Sequence, residues 1–249
     1  MIDVVVPVYG QLHLVAQCLD TLKAQEYIGR IIVVDDCSPP DGTSEYLDIA
    51  DVTVIRNAEN RGFVESVNAG MELVESEYAV IVNSDTSPVD GDSLYTLVRS
   101  AYFAGAAVAG ARLLFMPGSN EGRQFTIQHA GVAFDPDGVP YHPFMHLHAD
   151  TRAANRRMMV TAVTGAVFCV HTDTWRELDG FDTEFSPGVY EDVDYCLRAK
   201  KVLYEPQSVW LHMMHGSGGG LFDHAESHLK KLLSRWGRLE SDEHLYYGV

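Results

Sequence analysis

The sequence predicts an α/β protein built on a central, mostly parallel, Rossmann-like sheet flanked by helices. Two patterns predict it: short Val/Ile-rich runs bounded by polar, Gly or Pro residues, and intervening segments with apolar residues every three or four positions. Residues 2–7 read as the first strand, and residues 11–25 as a helix burying Leu12, Val15, Leu19 and Leu22. Residues 30–35 then read as strand, 41–49 as helix, 52–56 as strand, 64–75 as helix and 78–83 as strand. A chain alternating in this way returns each strand to the same sheet in parallel. Ligands then bind beyond the carboxyl ends of the strands, near the point where the strand order reverses.

A helix at 93–103 and a strand at 106–115 continue the alternation. The pattern changes from 116 to 157, where Gly, Pro, His and Asn are frequent. That stretch reads as an insertion carrying one hairpin at 131–139, turning at Asp135-Pro136-Asp137-Gly138. Beyond it, 160–171 reads as strand, 173–178 and 191–201 as helices, and 223–236 as a final amphipathic helix.

The 249 residues are 46% hydrophobic, enough to bury a substantial core. Lys and Arg total 18 against 35 Asp and Glu, and the net charge of −17 opposes non-specific attraction to nucleic acid or anionic lipid. An acidic protein that binds an anionic nucleotide needs a compensating charge, which carboxylates supply by holding a divalent cation. Cys18, Cys37, Cys169 and Cys196 have no C-x-x-C spacing and are expected to be reduced thiols in or near the core. No run of eighteen apolar residues and no basic leader is present, so a cytoplasmic protein without membrane insertion is expected.

Acidic residues cluster where a parallel sheet presents its ligand edge. Asp35-Asp36 closes the second strand, Asp85 follows the fourth, and Glu191-Asp192-Val193-Asp194 opens a late helix. In order along the chain stand VVVPVYG (4–10), VVDDCSPPDGT (33–43), NAENRGF (57–63), NSDTSP (83–88), TGAVFCV (164–170), GFDTEF (180–185) and YEDVDYCLR (190–198). In this order and at these intervals the motifs resemble glycosyltransferase family 2 and its GT-A relatives, over most of the chain.

The resemblance implies a single GT-A domain with an acceptor-side insertion. Residues 1–115 would form the nucleotide-sugar-binding half, and 116–249 the acceptor-binding and catalytic half. It also implies an inverting hexosyltransferase-like enzyme that uses Mn²⁺ or Mg²⁺. Pro7 and Tyr9 would wall the base and ribose pocket. Asp35 or Asp36 would accept from a pyrimidine N3–H, favouring UDP or dTDP donors; alternatively one of them caps the helix expected at 41. Asn60 and Arg61 match the family's Asn-x-Gly turn, where a cation can meet the nucleotide, although Arg61 reads equally as a solvated surface residue.

Asn83-Ser84-Asp85 takes the place of the family's Asp-x-Asp motif, with Asn83 and Ser84 toward the nucleoside and Asp85 toward the metal. His212 or His215 would complete the metal site; the sequence does not choose between them. Asp192 would be the general base, Glu191 would bind the acceptor or orient the loop, and Asp194 would hold the helix start. The plainer alternative is that these acids only complement a helix dipole. His142, His146 and His148 match no family position and read as solvated loop residues. The partners implied are a nucleotide-sugar donor and a hydroxyl acceptor, which could be a glycan, protein, small molecule or modified nucleobase. Two other functions fit the motifs less well. A sugar-nucleotide pyrophosphorylase needs a Gly-rich loop with Arg and Lys, which Val6-Pro7-Val8-Tyr9-Gly10 lacks. A non-catalytic nucleotide-sugar-binding module would be expected to lack the base or the metal ligands.

Overall fold

A computed structural model describes residues 1–119, 123–213 and 221–247. The first half alternates as the sequence predicts: β1 (Ile2–Val8), α1 (Leu12–Lys23), β2 (Ile28–Asp35), α2 (Thr43–Ile49), β3 (Thr53–Arg56), α3 (Gly62–Met71) and β4 (Tyr78–Val82). A short β5 (Thr86–Pro88) precedes α4 (Ser93–Ala104) and β6 (Val108–Phe115). The insertion supplies β7 (Ile127–His129) and a hairpin of β8 (Ala133–Phe134) and β9 (Pro140–Tyr141). Its turn is closed by Asp135 and Val139, as the Asp-Pro-Asp-Gly sequence predicts. Then follow β10 (Met158–Val160), β11 (Val167–His171), α5 (Thr172–Glu177), α6 (Glu191–Ala199), β12 (Val202–His212), α7 (Ala225–Trp236) and α8 (Glu243–Tyr247).

One ten-stranded sheet runs β10-β12-β6-β11-β4-β1-β2-β3, with β5 on β12 and β7 on β6. Strands β1, β2, β3, β4, β6 and β12 point the same way, and β5, β7, β10 and β11 run against them. The sheet is therefore mostly parallel and α/β in class. Alternate residues of β1 feed opposite faces, as the pleat requires. Val4, Val6 and Val8 pack with Leu19 and Leu22 of α1 and Leu97 of α4. Val5 packs on the other face with Val64, Val67 and Met71 of α3. Burying each such side chain is worth ~1.5–3 kcal/mol, so two helical layers hold the sheet between them. Gly70 lets α3 lie this close: a Cβ there would stand 2.5 Å from Val5 Cγ1.

Three expectations change. The run at 160–171 is two strands, because residues 161–166 leave the edge at β10 and re-enter at the centre as β11, between β6 and β4. Val, Ala and Thr continue on both sides of the break, and only Gly165 inside the run hints at it. The late strand that the resemblance implies at 208–217, leading to His212 and His215, begins at Val202, with a register shift between Glu205 and Val209. Cys18, Cys169 and Cys196 are buried as expected, but Cys37 is exposed, lying in the loop after β2 with φ at 60°. Among the described residues, no helix is long and apolar enough to cross a membrane.

Candidate active site

The carboxyl edge of the sheet gathers the acidic motifs, each held by the loop that follows its strand. β1 pairs with β4 only as far as Val5, while its pairing with β2 continues to Val8. Pro7 stands past the last β4 pair, and Tyr9 beyond it is 39% exposed, open toward the edge. Asp35 and Asp36 are both buried. Asp35 accepts from Ser38 N at 3.0 Å and Ser44 Oγ at 2.7 Å, and it anchors the loop into α2. Burial pushes its carboxyl up, but these donors and Arg56 outweigh it and hold Asp35 below the usual range.

Asp36 fastens the other loop, accepting from Asn57 Nδ2 at 2.7 Å, Arg61 N at 2.9 Å and Gly62 N at 2.8 Å. The same loop docks on the chain before α6, where Phe63 N donates to Pro187 O at 2.8 Å. Only Gly fits at 62. Its φ is +84°, and a Cβ would stand 2.5 Å from Pro187 Cβ. Asn60 accepts from Gly62 N at 3.2 Å, and Arg61 pairs with Glu65 at 2.8 Å, one turn along α3. Both Asp35 and Asp36 thus shape the walls of the edge, whatever else their remaining lone pairs meet.

The chain turns sharply at 83–86, where Thr86 N donates to Asn83 O at 3.1 Å. β5 then pairs antiparallel with β12, and Thr86 faces His212. This register brings His212 Nε2 to 3.2 Å from Asp85 Oδ1. Gln128 of β7 lies behind the imidazole, its Oε1 2.6 Å from His212 Nδ1. No sequence pattern marked Gln128. A carboxylate oxygen and an imidazole nitrogen meeting in this way are donors suited to Mn²⁺. Among the described residues, no group of three His, Cys, Asp or Glu is placed to hold a metal ion. His215 lies outside the described residues, as does Gly216.

Asp192 opens α6. Its Oδ2 accepts from Gly165 N and its Oδ1 from Val193 N, both at 2.7 Å. Gly165 sits in the break between β10 and β11, and its neighbour Ala166 accepts from Asn83 N at 2.9 Å. The 165–166 backbone therefore ties Asp192 to the Asn83 turn on one edge. Burial raises the Asp192 pKa, opposed by its backbone donors. Burial and then the Asp192 charge raise Glu191 well above the usual range. Glu191 Oε2 is buried and unpartnered, and so is Asn83 Oδ1. Buried polar atoms are nearly always paired, so both are candidates to meet a ligand. Of the two acids, Glu191 is pushed up further, since it carries the Asp192 charge beside it and an Oε2 without a donor.

Asp194 does more than hold the helix start. Fully buried, it accepts from Arg198 at 2.8 Å and from Arg235 and Trp236 of α7, both at 2.9 Å. It bolts α7 onto α6. His228 of α7 reaches Gly188 O at 2.8 Å, so α7 also braces the loop leading to Glu191. The loop histidines divide. His146 and His148 are exposed as expected, but His142 Nδ1 packs 3.0 Å from Nδ1 of the buried His129. Burial pushes His142 down to about 4, against a hydrogen bond with the Gly131 backbone that raises it. His142 is therefore half-buried and packed against His129, not open in the loop.

Residues 3–167 match the sequence model of "Glycosyl transferase family 2". The chain belongs to that family. It is 23% identical over 217 residues to a pre-mycofactocin glycosyltransferase of Mycobacterium tuberculosis, covering 85% of this chain and 42% of the relative. It is 33% identical over 86 residues to an uncharacterized glycosyltransferase of Haemophilus influenzae, covering 34% of this chain and 29% of that one. The chain thus spans less than half the length of these curated relatives.

Among solved structures it is similar to GalNAc-T7 with UDP, GalNAc and Mn²⁺, with TM-score 0.68, 15% identity, and coverage of 84% of this chain and 42% of that one. It is also similar to Staphylococcus aureus TarS with UDP-GlcNAc, with TM-score 0.58, 17% identity, and coverage of 84% and 57%. A mannosyltransferase of Pyrobaculum calidifontis with GDP-Man and Mn²⁺ matches with TM-score 0.58, 18% identity, and coverage of 85% and 56%. These likenesses establish the α/β GT-A fold of this family member.

Proposed function

We propose that this chain transfers a sugar from a nucleotide diphosphate sugar to an acceptor hydroxyl with inversion, residues 1–115 binding the donor and 116–249 the acceptor. The observation that carries this reading is the edge itself: the Asp85–His212 pair and Asp192 flank the single Asn83/Gly165–Ala166 junction. Asp192 takes the proton of the acceptor hydroxyl as that oxygen bonds to the anomeric carbon. The bond from carbon to the diphosphate oxygen breaks, and its electron pair leaves on the nucleotide. One base and one direct displacement invert the centre. Asp85 and His212 would hold Mn²⁺ or Mg²⁺, which when bound would neutralise charge on the leaving diphosphate. Glu191 and Asn83 offer their unpartnered oxygens to hydroxyls of acceptor and ribose, with Ser84 beside Asn83.

Donor binding is expected to require the cation. Calorimetry with UDP or a UDP-sugar should show binding in Mn²⁺ and at least tenfold weaker binding in excess chelator, a loss of about 1.4 kcal/mol or more. Equal affinity in both would remove Asp85 and His212 from the donor site.

Base selectivity is the second expectation, with Pro7 and Tyr9 forming the wall and Asp35 or Asp36 offering an acceptor to a pyrimidine N3–H. A hydrogen bond lost at a buried acceptor costs ~1–3 kcal/mol, so UDP and dTDP should outcompete CDP by on the order of tenfold. The solved relatives were captured with UDP or GDP-Man, so GDP belongs in the same competition. Equal inhibition by all four would show that neither aspartate reads the base.

A further inference from the structure

We infer that Gln128 is a positioning residue that fixes the His212 imidazole with its Nε2 lone pair directed at Asp85. The inference rests on the metal-site reading above and extends it to a strand contributed by the insertion. Gln128 is 4% exposed at the middle of β7, whose neighbours Ile127 and His129 pair with Leu114 and Leu113 of β6. Both ends of its amide address one residue. Nε2 faces the main-chain oxygen of His212 at 3.5 Å, and Oε1 faces His212 Nδ1 at 2.6 Å. The His212 carbonyl can only accept, and it already accepts from Met116 N at 3.0 Å. The amide NH₂ must therefore be the end turned toward it, and Oε1 must be the end turned toward the ring.

An acceptor 2.6 Å from Nδ1 requires the proton on Nδ1. With Nδ1 occupied by that bond, Nε2 is the nitrogen left to serve as a metal ligand, and it lies 3.2 Å from Asp85 Oδ1. An imidazole fixed by a hydrogen bond on its far nitrogen is the arrangement by which proteins orient metal-ligating histidines. Without Gln128 the ring could instead place its proton on Nε2 and donate it to Asp85, closing the gap to a metal.

Two measurements test this. In ¹⁵N-histidine spectra of the metal-free protein, His212 Nδ1 should be protonated; a bare Nδ1 with the proton on Nε2 overturns the inference. Electron paramagnetic resonance titration of Mn²⁺ in the presence of UDP should show affinity reduced ~10- to 100-fold in Gln128→Leu. Gln128→Glu, which keeps an acceptor at Nδ1, should stay within a few-fold of wild type and decides the matter if Gln128→Leu fails to fold. Equal Mn²⁺ affinity in wild type and Gln128→Leu overturns the positioning role while the metal reading stands. Absence of Mn²⁺ binding by wild type overturns the metal reading, and the Nδ1 signal still decides the hydrogen-bond assignment.

Discussion

Asp192→Asn is expected to lower turnover ~10²- to 10⁴-fold while leaving donor affinity within a few-fold, the usual contribution of a positioned general base. Asn keeps the size and an oxygen for Gly165 N or Val193 N, each now 2.7 Å from a carboxylate oxygen, but it cannot take a proton. Only the step that deprotonates the acceptor should suffer. Initial rates beside calorimetric donor binding make the comparison, and turnover above a tenth of wild type would place the base elsewhere. Product NMR adds an independent reading, since retained anomeric configuration would overturn inversion. The pH profile carries a sign as well. Burial raises the Asp192 pKa, so the base is charged only above that raised value. Turnover should fall on acidification at a pH above the ordinary carboxylate range.

Asp194→Ala is expected to destabilise the fold by ~3–5 kcal/mol, the cost of breaking one side of a buried charge network. Asp194 is fully buried, and Arg198 and Arg235 that meet it are 19% and 29% exposed, so neither guanidinium regains full hydration when the carboxylate goes. Trp236 Nε1 loses its acceptor at the same time. For a chain of this size the melting temperature should drop on the order of 10 °C. Asp192→Asn, two residues away, should shift it far less. A melting temperature for Asp194→Ala within 2–3 °C of wild type, about what 1 kcal/mol gives, would show that α7 is held by apolar packing instead. The pair of substitutions separates two acids of one motif into a chemical and a structural task.

That separation was invisible in the sequence. Glu191, Asp192 and Asp194 stand together as helix-opening acids, and nothing in their spacing says which meets Gly165 N and which meets Arg235. The same holds for His212. Two histidines three residues apart, His212 and His215, carry the same motif, and only a register can say what the first of them meets. β5 pairing with β12 sets Thr86 opposite His212 and so brings that ring to Asp85.

The alternation of β1 to β4 with α1 to α3 was legible because burial on a strand or helix repeats over two or 3.6 residues, a signal carried by neighbours in the chain. Placing Asp35-Asp36, Asp85 and Glu191-Asp192 at one edge followed from that alternation, since a parallel sheet sends its strand ends the same way. The run at 160–171 carried only a weak signal, Gly165, because the Val, Ala and Thr residues on both sides of it read as one continuous strand. Gln128 carried none either: its partner is 84 positions away, and an amide has no periodicity to betray it. The sequence alone determined the class of the sheet, its ligand edge and the acids that reach it. Only the tertiary structure brought His212 to Asp85, Gln128 to the imidazole and Asp194 to α7, because these rest on ångström-scale contacts between distant segments that packing alone brings together.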